Sequence, residues 1–139
     1  MSSLIFTIVE REAVMQELTL KQKNSLIIGT VFSAELLACN AENRRFVSVY
    51  PYVLNEQGRR SKPDKYISSE KYETTLFYLR DYEYPSKYIE NDQEVYDGEI
   101  IYHHKIVDIR GISELERILS GIMTDFSQLV PMWQTDDIL

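Results

Sequence analysis

Three segments with the residue pattern of β-strands follow one another with no helical segment between them, and this arrangement most constrains the fold. They span residues 45–54, 72–82 and 99–109. Each is rich in β-branched and aromatic residues, and apolar positions recur at every second residue, which is typical of strands. Consecutive strands that are not separated by a helix form antiparallel pairs, so the sequence predicts an α+β domain. We expect a mostly antiparallel sheet of four to five strands with helices packed on one face.

The first part of the chain predicts further elements of this domain. Residues 3–9 alternate as a strand, and residues 10–18 predict a short helix. Residues 25–39 fit either a strand or a helix. A strand is favoured, because the polar turn at residues 40–43 would join it to the strand at residues 45–54 as an antiparallel hairpin.

A helix near the end of the chain is predicted from several signals at once. Gly111 interrupts the last strand, and Ser113 with Glu116 three residues later matches a capping box. The box precedes a stripe of apolar residues at helical spacing, namely Leu115, Ile118, Leu119 and Ile122. We expect this stripe to cover the sheet.

Length and composition fit one domain over residues 1–139, with exposed loops at about 55–70 and 83–98 and a partly loose C-terminal tail at 131–139. The apolar runs are too short or too interrupted to cross a bilayer. The first basic residue, Arg11, follows the first apolar run, which argues against a signal peptide. The single Cys39 agrees with a reducing compartment, so we expect a cytoplasmic protein.

Acidic residues and tyrosines are concentrated in one region. All ten tyrosines lie between Tyr50 and Tyr102, and residues 81–99 contain seven acids and one base in a chain whose net charge is -7. Tyrosine provides rigid contact area and carboxylates attract a cationic partner, so this region predicts a protein-binding surface. The predicted partner-binding residues are Tyr82, Glu83, Tyr84, Tyr88, Glu90, Asp92, Glu94, Tyr96 and Asp97.

No recognisable motif for catalysis, for a metal or for a cofactor is found. The adjacent His103 and His104 would point to opposite faces of a strand and could not chelate one metal together. Cys39 has an apolar sequence context and is interpreted as a buried small hydrophobe. The five glycines are too far apart for a phosphate-binding loop. We therefore predict a protein that is not an enzyme and carries neither metal nor cofactor.

The leading hypothesis is a small acidic cytosolic binding module of the inhibitor, immunity or antitoxin kind. It would dock on a basic protein, such as a nuclease or another nucleic-acid-binding protein, and would itself bind neither nucleic acid nor membrane. One alternative is an enzyme or small-ligand-binding domain with a pocket between helix and sheet, pairing His104 with Glu99 or Asp108. Another is a subunit of a homomeric assembly, for example a homodimer formed through the tyrosine-rich sheet edge.

Overall fold

The computed structural model describes residues 16–139. The predicted strand at residues 3–9 lies outside this part, as does most of the predicted helix at residues 10–18. The described residues form an antiparallel sheet of six strands, two of them only two residues long, together with four helices. The predicted α+β class and the predominantly antiparallel sheet are confirmed.

The sheet contains three long strands and three short ones. The strands are β1 (Phe32–Leu36), β2 (Asn43–Leu54), β3 (Arg60–Ser61), β4 (Leu76–Pro85), β5 (Ile101–Arg110) and β6 (Val130–Pro131). The spatial order is β5-β4-β2-β1-β6, and β3 pairs with the end of β2. The helices are α1 (Leu20–Ile27), α2 (Lys71–Thr74), α3 (Lys87–Glu90) and α4 (Ile112–Ser120). None of the helices in this part of the chain has the length and apolar character needed to span a membrane.

The strand predicted for residues 25–39 is wrong in its first half, where the chain completes α1. A capping box starts this helix: the Thr19 hydroxyl accepts a hydrogen bond from the Gln22 amide, and the Gln22 side chain accepts one from the Thr19 amide. Gly29 follows the helix with a φ of 106°, a conformation that suits glycine. The second half is β1, and its predicted hairpin with β2 is confirmed.

The predicted helix after Gly111 is confirmed as α4, but the predicted capping box is not formed. The residue that caps α4 is Gly111 itself, and none of the side chains in residues 16–139 caps the helix. Glu116 instead accepts a hydrogen bond from the buried amide of Leu18 at 2.7 Å. This hydrogen bond joins distant parts of the chain. It stabilises the fold because the buried Leu18 amide would otherwise lack an acceptor.

The main core lies between one face of the sheet and the helices α1 and α4. We call this side of the sheet the helix face. Because side chains alternate along a strand, Phe77 and Leu79 of β4 point to this face, as predicted, and both are fully buried. They pack with side chains from β2, α1 and α4, including Val47, Val49, Leu26, Ile27, Leu115 and Leu119.

A second core covers the opposite side of the sheet, which we call the tyrosine face. Phe46, Tyr82 and Tyr84 are fully buried there, and residues 86–100 fold over them. Tyr88 and Val95 of that segment complete the cluster. Helices α1 and α4 therefore lie on one face, as expected, whereas the one-turn helix α3 lies on the other.

The two predicted loops and the predicted C-terminal tail differ in burial and in their contacts with the sheet. Residues 55–70 are exposed apart from Pro63 and include the short β3. Residues 83–98 do not form one exposed loop, because β4 continues to Pro85 and the following segment contributes buried side chains. Within residues 131–139, Pro131 pairs with Phe32 of β1, and Asp136 forms an ion pair with Arg44 at 2.8 Å.

Candidate functional site

Four of the nine predicted partner-binding residues are buried, so their expected position on the surface is wrong. Tyr82, Glu83 and Tyr84 are fully buried because β4 extends through them as a central strand of the sheet. Tyr88 is buried because α3 packs it onto the tyrosine face. The other five predicted residues are exposed: Glu90, Asp92, Glu94, Tyr96 and Asp97.

The hydroxyl groups of the buried tyrosines bind acids of this same chain. Tyr82 and Tyr84 both donate to the Asp137 carboxylate, Tyr84 at 3.0 Å. Tyr88 donates to Glu99. Burial, and then the charge of Asp137, raises the pKa of Tyr82 and of Tyr84 well above the ordinary range. These rings therefore hold the fold together and are not available to a partner.

The exposed part of the predicted surface is the segment 90–97, which we call the acidic loop. None of its four carboxylates takes part in an ion pair with a residue of the described chain. The nearest ion pair in sequence joins Lys87 to Glu99, at 3.8 Å. Tyr96 lies in the loop with 67% of its surface exposed. The loop thus presents negative charge together with an aromatic ring.

Strand β5 follows the acidic loop and forms one edge of the sheet. Within residues 16–139 it pairs only with β4. Ile101 and Tyr102, at its beginning, are 49% and 45% exposed. Apolar side chains on a long edge strand are uncommon in a protein that has no partner. Tyr102 pairs with Tyr82 and Ile101 pairs with Glu83, so these two exposed side chains lie on opposite faces at the sheet edge. The acidic loop precedes them in the sequence.

A polar cluster occupies the helix face beyond the end of the main core. Asp81 and Glu83 are the next residues of β4 that point to this face, and both are fully buried. Arg45 donates two hydrogen bonds to Asp81, at 2.8 and 2.6 Å. His104 Nδ1 lies 2.9 Å from the same carboxylate. Burial acts to raise the pKa of Asp81, but the hydrogen bonds from Arg45 and His104 outweigh it and lower that pKa.

Both histidines contact carboxylates on this one face, so the prediction that they point to opposite faces is wrong. The reason is a β-bulge: Asp81 pairs with His104, whereas Tyr82 pairs with Tyr102, which leaves His103 as an extra residue in β5. His103 Nε2 lies 2.6 Å from Glu83 Oε1. A bulge depends on the register of two strands and has no signature in the sequence of β5 alone.

Cys39 completes the cluster and is exposed, which corrects its interpretation as a buried small hydrophobe. Its backbone amide donates to Glu83 Oε1 at 3.3 Å, and Asn43 Nδ2 donates to Glu83 Oε2 at 2.9 Å. Although burial opposes it, hydrogen bonding from Asn43, His103 and the Cys39 amide lowers the pKa of Glu83 to about 2. The thiol, the Glu83 carboxylate and an imidazole nitrogen of His103 lie within 4.8 Å of one another.

The residue pairs expected for an enzyme pocket are not formed. Glu99 accepts a hydrogen bond from Tyr88, and Asp108 accepts one from Tyr52, while His104 contacts Asp81. A groove of about 420 Å³ lies on another part of the surface, and its lining contains no His, Cys, Asp or Glu. No protein-family model, no curated protein and no solved structure matches the chain.

Proposed function

We propose that this chain is a protein-binding module that docks on a basic partner through the acidic loop and the beginning of β5. One observation carries the proposal: the acidic loop has four carboxylates without a cationic partner in the described part of the chain, and an exposed aromatic ring, Tyr96, lies among them. The exposed side chains of Ile101 and Tyr102 follow at the edge of the sheet. Unneutralised charge speeds the encounter with a cationic protein, and desolvated aromatic and apolar side chains slow dissociation.

The proposed surface is smaller than the one expected from the sequence. Tyr82, Tyr84 and Tyr88 are used by the fold, and Glu83 belongs to the polar cluster. The contrast between the buried acids of β4 and the exposed acids of the acidic loop supports a partner of opposite charge. Asp81 and Glu83 bind groups of the same chain, whereas the carboxylates of the acidic loop form no ion pair with residues 16–139.

The class that suits such a surface is a cytoplasmic inhibitor, immunity protein or antitoxin. A nuclease or another nucleic-acid-binding protein is a suitable partner, since its cationic surface is shaped to receive phosphates and would accept carboxylates in their place. On this proposal the chain binds neither nucleic acid nor membrane itself.

A capture experiment with two charge-matched variants tests the proposal. The loop variant carries Glu90→Gln, Asp92→Asn, Glu94→Gln and Asp97→Asn. The control variant carries Glu17→Gln, Glu56→Gln, Glu70→Gln and Glu73→Gln, four exposed acids outside the loop. Each variant removes the same number of charges, so net charge alone cannot distinguish them.

Immobilised wild-type protein and the control variant should retain the same basic protein from an extract of the source cells at low salt. The loop variant should not retain it, and high salt should release it from the wild type. Mass spectrometry of the eluates identifies the captured protein. The proposal is contradicted if the loop variant retains that protein as well as the wild type does. It is also contradicted if every retained protein binds the loop variant and the control variant equally.

A second candidate is a homomeric assembly in which β5 pairs with β5 of another copy. The long exposed edge strand favours it, because its outer backbone groups have no partner within residues 16–139. Light scattering coupled to size-exclusion chromatography separates the two candidates. A dimer that persists in high salt supports assembly through β5, and a monomer at both salt concentrations excludes it.

A further inference from the structure

We propose that Cys39, Glu83 and His103 bind a zinc ion, at a site separate from the acidic loop. Thiolate sulfur, imidazole nitrogen and carboxylate oxygen are the donors that zinc takes from proteins. The three residues come from different parts of the sheet: the connection between β1 and β2, the end of β4 and the beginning of β5. The fold brings their donor atoms to within 4.8 Å of one another.

The spacing of these atoms is compatible with coordination after small side-chain movements. In a tetrahedral zinc site, donor atoms of this kind lie about 3.3–3.7 Å apart, given bond lengths of about 2.0–2.3 Å. His103 Nε2 and Glu83 Oε1, now 2.6 Å apart, would separate by less than about 1 Å as the ion enters between them. The thiol would move closer by about 1.5 Å at most, which a rotation of the exposed Cys39 side chain can supply.

The surrounding residues already orient the carboxylate for this role. Asn43 holds Glu83 Oε2, so that Oε1 is the oxygen directed to His103 and Cys39. Hydrogen bonds of this type fix metal-binding carboxylates and increase metal affinity. The ionised form of Glu83 is also the form that coordinates a cation. Asp81 neutralises the neighbouring Arg45, which limits repulsion of the ion.

An internal hydrogen-bonded pair of Glu83 with His103 would satisfy the buried carboxylate without any metal. Such a pair does not explain why a thiol lies beside it. The thiol belongs to Cys39, the single cysteine of the chain. Because Cys39 is exposed, the fourth coordination position would face solvent and hold water. Zinc sites with three protein ligands and one water are open to a further ligand.

Cobalt(II) titration of the whole chain tests the site directly. Cobalt substitutes for zinc, and a sulfur-to-cobalt charge-transfer absorption appears only when a thiolate is bound. With one cysteine in the chain, this absorption reports Cys39 alone. We expect the absorption to saturate at one cobalt per chain and to disappear when zinc is added.

Variants of the adjacent histidines provide a matched comparison. His103→Gln should weaken cobalt binding by more than about tenfold, since even outer-sphere partners are worth about 10- to 100-fold. His104→Gln should leave the affinity unchanged, and Cys39→Ser should abolish the absorption. Circular dichroism establishes that each variant is folded.

Two results would overturn the proposal: no charge-transfer absorption in the wild type, or equal cobalt affinity of the two histidine variants. Cobalt binding without this absorption would show that the Cys39 thiolate is not a ligand and would also count against the site. The loop variant should bind cobalt at Cys39 as the wild type does. Failure of the metal site and failure of partner docking are therefore distinguishable.

Discussion

Asp81 and Glu83 illustrate how this fold stabilises buried charges. A carboxylate without partners in the interior costs several kcal/mol, whereas one with directed hydrogen bonds remains ionised. Asp81 has Arg45 and His104, and Glu83 has Asn43 and His103. The acids of the acidic loop lack such partners in the described residues. Acids close together in the sequence thus have different roles because only some lie on the sheet.

Removing the charge of Asp81 should destabilise the protein strongly. We expect Asp81→Asn to lower the free energy of unfolding by about 3 kcal/mol, because Arg45 and His104 lose a buried ionised partner. Asp92→Asn, in the acidic loop, should change it by less than about 0.5 kcal/mol. Urea denaturation followed by circular dichroism measures both, and similar values for the two variants would contradict the assigned role of Asp81.

Glu83 should make stability depend on pH in the acid range. Its pKa is about 2 in the folded protein and 4.5 in its ordinary state. Below pH 4.5 the unfolded chain takes up a proton that the folded protein does not, so stability falls as pH decreases from 4.5 toward 2. We expect the denaturation midpoint, measured with a chelator present, to decrease less steeply with falling pH for Glu83→Gln than for the wild type. Parallel curves for wild type and variant would exclude this contribution.

Element by element, the sequence predicted what depends on local pattern. The alternation in β2, β4 and β5 and the apolar stripe of α4 are repeated over many residues, and the sequence predicts each of them. The start of the strand predicted for residues 72–82 is wrong, because Lys71–Thr74 is helical and β4 begins at Leu76. The sequence does not reveal helix α1, because the alternating apolar residues from Leu26 to Phe32 resemble one continuous strand across the turn at Gly29. The polar cluster could not be predicted, because it depends on the β4–β5 register and on the bulge at His103.

The junction between β5 and α4 should tolerate no side chain at Gly111. Its φ of 84° and ψ of 161° belong to a region used almost only by glycine, and a Cβ would lie 3.1 Å from backbone oxygens of Tyr72 and Glu73. We expect Gly111→Ala to cost about 1–3 kcal/mol of stability. Gly121→Ala at the other end of α4, where φ is -82°, should be neutral or stabilise by up to about 1 kcal/mol.

Thermal and urea unfolding of the two glycine variants give the comparison. Both add one methyl group at an end of the same helix, so they differ mainly in backbone conformation. A Gly111→Ala variant as stable as Gly121→Ala would show that the backbone at this junction is not constrained as described.

The two sides of the sheet have different surroundings. The helix face carries the main core and ends in the polar cluster, and the tyrosine face is covered by residues 86–100 and by residues near Asp137. Within residues 16–139, the acidic loop forms no ion pair and the outer edge of β5 pairs with no strand. The sequence located the acidic loop correctly as exposed, but composition could not tell which tyrosines pack inward.

If the acidic loop attracts a basic partner, the charges of the loop should increase the association rate constant of the two proteins. Stopped-flow fluorescence with the captured protein gives this rate for the wild type, the loop variant and the control variant over a range of salt concentrations. We predict that wild type and control associate at least about tenfold faster than the loop variant at low salt and slow steeply as salt increases. Equal rates with equal salt dependence for all three proteins would contradict the claim.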